Sequence, residues 1–261
     1  MIPTLSVVSP VYNEAEVLPE FCDALRRVLD EVGASYEVIL VDDGSHDGSF
    51  AVATRQDWPQ LTVIRLSANA GHQAALEAGL SHSSGKFVVT MDADLQHPPT
   101  VIPELLAAAQ ASDVDVAYAI RSGRSEENFF KRSTARWYYR IIRLLTGVPV
   151  INHAADFRLM SRFVVDVLND IPGRKVYRLL LPSLGFSYVT VEYVAGERAA
   201  GQSKYTFQKM LSLAVRSSVQ FSPHPLRFVA LIGLLTSAVA VLWLAFVFGS
   251  FFTGSALIGW P

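Results

Sequence analysis

Short runs of apolar, β-branched residues alternate with helix-period segments through the N-terminal half of the chain. They read LSVVSP, YEVILV, LTVIRL, KFVVTM and DVAYAI, the first four each followed by a helical stretch. Alternation of this kind predicts βαβ units around a mostly parallel sheet flanked by helices. In the first helical stretch Val17, Phe21, Leu25, Val28 and Val32 recur on one face, and Asn13 with Glu16 has capping-box spacing. That places a helix start just after the first strand. Ligands of open α/β sheets bind outside the carboxyl ends of the strands. The turns expected there read PVYNE (10–14), DDGSHD (42–47), NAGHQAA (69–75) and DADLQHPP (92–99).

The pattern changes towards the C-terminus. The run LRFVALIGLLTSAVAVLWLAFVFGSFF is apolar on every face, and no charged residue follows Arg227. About 20 apolar residues cross a hydrocarbon core, so one transmembrane helix is predicted, a buried core helix being the alternative. Hydrophobic residues make up 51% of the 261-residue chain, and this run holds the excess over a soluble domain. The net charge of −2 conceals a division. All 24 acidic residues lie at or before Glu197, whereas Arg198, Lys204, Lys209, Arg216 and Arg227 follow with no acid between them. Basic residues beside a span favour the cytoplasmic side and attract anionic lipid. Residues 121–147 read as a basic, aromatic amphipathic helix. Residues 205–220 read as a second one, lying in the membrane interface or packed on the preceding domain. The N-terminus lacks a basic segment ahead of an apolar stretch, so the N-terminal part is expected in the cytosol, and the lone Cys22 agrees with a reducing compartment.

Asp92 and Asp94 flank Ala93 at the expected end of a strand, where extended geometry would aim both carboxylates to one face. With Gln96 they offer half the oxygen shell of Mg²⁺ or Mn²⁺, the rest being left to water and substrate phosphates. Turn-forming aspartates that cap the next helix would read the same. Asp42 and Asp43 carry a similar ambiguity between turn chemistry and hydrogen bonding to a nucleoside. No GxGxxG or GxxxxGK[ST] pattern is present, which removes the dinucleotide fold and the P-loop as explanations of a nucleotide site. The six histidines show no HExxH or paired Cys/His spacing. His97, beside the acidic pair, reads as a hydrogen-bonding residue rather than a ligand.

PVYNE, VDDGS, the N-x-G-x-x-x-A turn, MDADLQHPP, ADFRL (155–159) and RxxGxSKY (198–205) occur in the order and spacing of a known group. Over nearly its whole length the chain resembles the polyprenyl-phosphate glycosyltransferases, the dolichyl-phosphate mannose synthase and bactoprenol glucosyltransferase group of glycosyltransferase family two. The resemblance implies a GT-A-like nucleotide-diphospho-sugar transferase fold followed by an interfacial and a transmembrane helix. It divides the chain into a cytosolic catalytic domain (1–200), a juxtamembrane segment (201–225) and a transmembrane region (226–261), which holds one complete span where relatives continue into a second. By the same resemblance Pro10, Tyr12, Glu14 and Asp42 meet the donor nucleoside, and Asp43, Gln73, Asp92 and Ala93 complete the donor site. Asp92, Asp94 and Gln96 hold the metal, and Asp94 and Asp156 are catalytic. Arg121, Lys131, Arg132, Arg198, Ser203 and Lys204 meet the acceptor phosphate or line the closing loop.

The implied reaction is an inverting, metal-dependent transfer of a hexose, UDP-glucose being the first donor expected, to undecaprenyl or dolichyl phosphate at the cytoplasmic face of a bacterial inner membrane. No nucleic-acid partner is expected, and a homo-oligomer is compatible with the sequence. Asp156 is usually cast as a general base, yet a phosphate monoester with a second pKa of about 6 is already largely dianionic at pH 7. Positioning of the acceptor and balancing of Arg158 therefore stand beside proton removal as its roles, as does an ion pair with Arg158 that only fixes a loop. The loop at 198–205 either closes over substrates or is plain surface. A polysaccharide-extending enzyme would carry a Q-x-x-R-W motif, which is not found; a membrane-tethered module that binds nucleotide without catalysis is the remaining alternative.

Overall fold

The computed structural model describes residues 2–122, 154–173, 175–194 and 224–253. The chain divides into two units, residues 1–133 with 148–204, and residues 134–147 with 205–261. The first is built on strands β1 (Leu5–Val11), β2 (Tyr36–Asp42), β3 (Leu61–Arg65), β4 (Phe87–Thr90), β5 (Val116–Ser122), β6 (Ala154–Ser161) and β7 (Tyr188–Val194). Its helices are α1 (Leu18–Val32), α2 (Ser49–Thr54), α3 (His72–His82), α4 (Ile102–Ser112), α5 (Arg162–Asp170) and α6 (Tyr177–Ser183). The strands form one sheet in the order β3-β2-β1-β4-β6-β5-β7.

Every residue of β1 is buried, as its near-continuous apolar run demands of a central parallel strand covered on both faces. It pairs in parallel with β2 and β4, β2 with β3, and β5 with β7. Only β6 runs the other way, antiparallel to β4 and β5. The mostly parallel sheet expected from the sequence is thus observed, and one reversed strand changes its chemistry. Because β6 is reversed, its first residues, Asp156 among them, lie at the edge where the parallel strands end. The chain leaves β1 towards β2 on one side and β4 lies on the other, so a switch point falls beside that edge.

One sheet face packs on α1 and α4 through Phe21, Leu25, Ile102, Leu105 and Phe157. The other meets α3, whose Gly79 allows close approach: a Cβ there would lie 2.2 Å from Val8 Cγ1. Cys22 is buried on the inner face of α1, where burial first and then Asp23 push its thiol up to about 12, leaving it inert.

Some local expectations are corrected. Helix α1 begins at Leu18, with Pro19 in its first turn and no side-chain cap, so Asn13 and Glu16 do not form a capping box. Asn13 instead adopts a left-handed conformation (φ 56°), and its Oδ1 accepts the His46 N–H at 3.0 Å. A tie to the neighbouring loop has outweighed the local capping preference. Arg121 and Ser122 close β5 rather than opening a helix. The rest of the amphipathic segment at 121–147, and that at 205–220, fall outside the described residues. Neither β6 nor β7 was anticipated as a strand.

Within the second unit, helix α7 (His224–Phe252) includes a stretch, Val229–Phe252, of mean hydropathy 2.5. At 1.5 Å per residue those 24 residues extend about 36 Å, enough to cross a hydrocarbon core of about 30 Å. It is the one helix among the described residues long and apolar enough to do so.

Candidate active site

The loops at the strand ends are tied to one another. Asn13 N–H donates to Ser45 Oγ (3.0 Å), Glu14 N–H to Ser49 Oγ (2.9 Å) and Ala15 N–H to Asp47 Oδ2 (3.0 Å). These bonds join the turn after β1 to the turn after β2 and leave Tyr12 exposed at the edge. Pro10 lies within β1 and pairs with Val41. Asp42 is buried; its Oδ1 accepts the Ser45 N–H at 3.2 Å and its Oδ2 lies 3.3 Å from Arg65 Nε.

Asp43 has a different occupation. Its buried carboxylate accepts the Ala70 N–H at 2.7 Å and the Gly71 N–H at 3.0 Å, closing the turn that leads into α3. Gly44 makes this packing feasible: it sits at φ +68°, and a Cβ would lie 2.7 Å from the backbone of both Ala68 and Asn69. Asp43 of the DDGS turn therefore shapes the chain that presents His72. Gln73, one residue on, accepts the Tyr177 N–H through Oε1 at 3.0 Å and ties α3 to α6.

Strand β4 ends at Thr90, so Asp92 and Asp94 are not oriented by extended geometry as the sequence suggested. They belong to a bent loop in which Leu95 is left-handed (φ 59°). Asp94 Oδ1 accepts the Gln96 N–H at 3.0 Å, an Asx-type closure, and neither aspartate caps the following helical turn. The Asp92 N–H donates to His97 Nδ1 at 3.0 Å. His97 is buried and stacked on Phe157 of β6, with ring centroids 5.2 Å apart. Its expected hydrogen-bonding role is observed, and the stack joins the acidic loop to the reversed strand. Arg121 is exposed at the end of β5, opposite Tyr193. Burial pushes the Tyr193 phenol up, with Arg121 opposing and Asp92 and Asp94 adding, so these charges share one neighbourhood.

Asp92, Ala93, Asp94 and Gln96 keep to one loop, Ala93 buried and the other three half-buried. Among the described residues no three His, Cys, Asp or Glu side chains gather into a metal cluster. Two carboxylates and an amide oxygen nevertheless suit a hard cation that retains water and takes substrate phosphate oxygens.

Asp156 faces three basic groups. Arg158, two residues along the same strand and so on the same face, donates to Asp156 Oδ1. Arg178 Nη2 lies 3.3 Å from Asp156 Oδ2, and His72 Nε2 lies 3.5 Å from the same oxygen. The Asp156 backbone oxygen accepts from Thr90 Oγ1 at 2.8 Å, fixing β6 to the end of β4. Burial opposes ionisation of Asp156, but His72, Arg158 and Arg178 outweigh it and hold the carboxyl well below the usual range. His72 Nε2 also lies 3.6 Å from Asp92 Oδ1. Burial works against its protonation, yet the two carboxylates hold its pKa above the ordinary value.

The structure thus brings Asp92, Asp94, Gln96, Arg121 and Asp156 to one edge of the sheet. Lys131, Arg132, Arg198, Ser203 and Lys204 lie outside the described residues. His72 and Arg178 were not singled out from sequence; His72 had a signal in its place after the glycine of the NAGHQAA turn, and Arg178 had none.

Comparison with known proteins shows the family and the fold. The family model described as Glycosyl transferase family 2 matches residues 6–168. The chain is 37% identical over 259 residues to an uncharacterized glycosyltransferase of Bacillus subtilis (strain 168), covering 98% of this chain and 80% of that protein. It is 34% identical over 261 residues to a bactoprenol glucosyl transferase of Shigella phage SfV, covering 98% and 85%. Among solved structures it is similar to glucosyl-3-phosphoglycerate synthase from Mycobacterium tuberculosis, in complex with Mn²⁺, UDP and glucosyl-3-phosphoglycerate. The TM-score is 0.54 at 19% identity, over 83% of this chain and 77% of that one, a likeness of fold.

Proposed function

Since the chain belongs to glycosyl transferase family 2, we propose that it transfers a hexose from a nucleotide-diphosphate sugar to polyprenyl phosphate at the cytoplasmic face of a membrane, inverting the anomeric configuration. UDP-glucose is the first donor to test. The observation that carries the reading is the convergence of Asp92 and Asp156 on His72. With the acidic loop and the reversed strand held this close, a leaving diphosphate beside Asp92 and an incoming acceptor beside Asp156 would lie on opposite sides of the transferred sugar. The apolar Val229–Phe252 helix, long enough to cross a bilayer, supports an acceptor that is itself held in a membrane.

In the proposed reaction an acceptor phosphate oxygen attacks the anomeric carbon as its bond to the diphosphate oxygen breaks, and the nucleoside diphosphate departs with the electron pair. Asp92, Asp94 and Gln96 would hold Mg²⁺ or Mn²⁺, which when bound offsets negative charge on the leaving diphosphate. Tyr12, Glu14 and Asp42 border the nucleoside, while Asp43 and Gln73 act behind them by fixing the turn and α3. A dianionic acceptor has no proton to give up, so Asp156 positions the acceptor and its cations rather than serving mainly as a base. Arg121, with Lys131, Arg132, Arg198, Ser203 and Lys204, is assigned to the acceptor phosphate and closing loop.

The test is product stereochemistry. Full-length protein in membranes, given Mn²⁺, polyprenyl phosphate and a panel of UDP- and GDP-sugars, should yield a lipid-linked sugar whose anomeric configuration, read by NMR, is opposite to that of the donor. A retained configuration would contradict the direct displacement.

A further inference from the structure

The two carboxylates that converge on His72 are supported unequally. Asp156 meets Arg158 and Arg178 as well as His72. Two imidazoles stand near the Asp92 carboxylate: His72 Nε2 is 3.6 Å from Oδ1, and His97 Nδ1 is 3.8 Å from Oδ2. His97 has no hydrogen to offer on that atom, because Nδ1 already accepts the Asp92 N–H at 3.0 Å. Among the described residues, the side chain left to orient the Asp92 carboxylate is therefore His72. Its Nε2 is buried and, at 3.5 Å from Asp156 and 3.6 Å from Asp92, is fully hydrogen-bonded to neither. A lone pair aimed at two carboxylates would be repelled, so the ring presents Nε2–H to them whichever state Nδ1 is in.

The rest of the fold holds the ring there. His72 opens α3, and the turn before it is closed by the Asp43 carboxylate on the Ala70 and Gly71 N–H groups. Further along α3, Gln73 Oε1 accepts the Tyr177 N–H at 3.0 Å and Glu77 Oε1 accepts from the buried Lys175 at 2.6 Å. The helix is thus braced by the turn after β2 at its head and by the segment leading into α6 along its side. Neither brace belongs to the acidic loop. Asp92 itself sits on a bent loop with its side chain 36% exposed, so rotamer freedom remains for an outside contact to remove.

We propose that His72 is a positioning residue for the Asp92 carboxylate, setting from α3 the direction in which that carboxylate meets a divalent cation. The inference rests on the reading that Asp92 and Asp94 hold the metal. A group that hydrogen-bonds a metal-ligating side chain from behind governs affinity strongly, and its loss costs about 10–100-fold. The hydrogen on Nε2 carries the effect, not the charge of the ring. Asp156 keeps its own place without His72, because Arg158 and the Thr90 hydroxyl still hold it.

The experiment measures Mn²⁺ binding by the detergent-solubilised full chain, with free Mn²⁺ read by electron paramagnetic resonance at saturating UDP or GDP. His72→Phe keeps an aromatic ring and removes the N–H, and should raise the Mn²⁺ Kd about tenfold or more. His72→Gln places an amide N–H at about the reach of Nε2 and should regain most of that affinity. His72→Asn, whose amide stops short, should not. In the transfer assay, His72→Phe should leave KM for polyprenyl phosphate within about twofold. Wild-type Mn²⁺ affinity in His72→Phe, or equal losses in His72→Gln and His72→Asn, would overturn the proposal; the second comparison decides it if His72→Phe does not fold. A loss confined to acceptor KM would also overturn it. The two readings fail separately. A wild type without Mn²⁺ affinity in the presence of either nucleotide removes both, whereas a wild type that binds Mn²⁺ and is matched by His72→Phe removes only the role of His72.

Discussion

His72 Nε2 stands 3.5 Å from Asp156 Oδ2, although the two residues come from different elements and are far apart in sequence. The same nitrogen is 3.6 Å from Asp92 Oδ1. A histidine at the head of α3 thus joins the loop after β4 to the start of β6, the two places from which the proposed chemistry draws its carboxylates.

The pairing of Asp156 with the buried Arg158 allows structural and chemical roles to be separated. Asp156→Asn leaves Arg158 as an uncompensated buried charge and should lower unfolding free energy by about 3–5 kcal/mol. Adding Arg158→Met removes that charge, and the double variant should regain most of the stability in denaturant titration without regaining sugar transfer. Recovery of transfer would mean that Asp156 only neutralises Arg158.

The depressed pKa of Asp156 sets a pH expectation. A carboxylate held below its unfolded value of about 4 stabilises the fold above that pH, and the contribution is lost only as pH falls through the depressed folded value. Between pH 6 and 8.5 Asp156 stays ionised, so Asp156→Asn should reduce the transfer rate by the same factor at both ends. A reduction that grows steeply across this range would indicate a base titrating near neutrality.

Gly44 and Asp43 act together on the turn before His72. Gly44→Ala must shift the backbone of Ala68 and Asn69 and takes on an unfavourable φ, at a cost of about 1–3 kcal/mol. The denaturation midpoint should fall, and KM for the nucleotide sugar should rise although residue 44 offers no side chain to the donor. A wild-type midpoint would show that the turn relaxes freely.

How much of this was legible in the sequence follows from which interactions are local. Strands β1 to β5 showed because their apolar runs are buried on a sheet that has helices between its strands. Strand β6 did not, because ADFRL places Asp156 and Arg158 on one face, a polar pattern typical of loops until the two charges are seen to pair. Edge strand β7 alternates between exposed residues and half-buried ones, with only Tyr193 buried, and carries a weak apolar signal. The acidic loop follows β4 in sequence, but its orientation depends on His97, whose acceptor nitrogen and stacking partner Phe157 come together only in the fold. Asn13 had the right spacing for a cap and went to His46 instead. Asp156 could be named from resemblance, whereas its partners His72 and Arg178 required the tertiary structure.

His97→Phe isolates that dependence. Phenylalanine keeps a ring against Phe157 and removes the acceptor for the Asp92 N–H, a loss of about 1 kcal/mol in stability. Isothermal titration in Mn²⁺ should show nucleotide-sugar affinity falling several-fold, because the loop carrying Asp92 and Asp94 is no longer held. Wild-type affinity would separate His97 from the acidic loop.

The central claim is sugar transfer to a lipid phosphate, and partition of label tests it most directly. Membranes containing the full chain are incubated with a labelled nucleotide sugar and either polyprenyl phosphate or the unphosphorylated polyprenol, with Mn²⁺ or with EDTA. Label should enter the organic phase only with polyprenyl phosphate and Mn²⁺. Label appearing equally with polyprenol, or none across UDP- and GDP-sugars while nucleotide binding is intact, would contradict it.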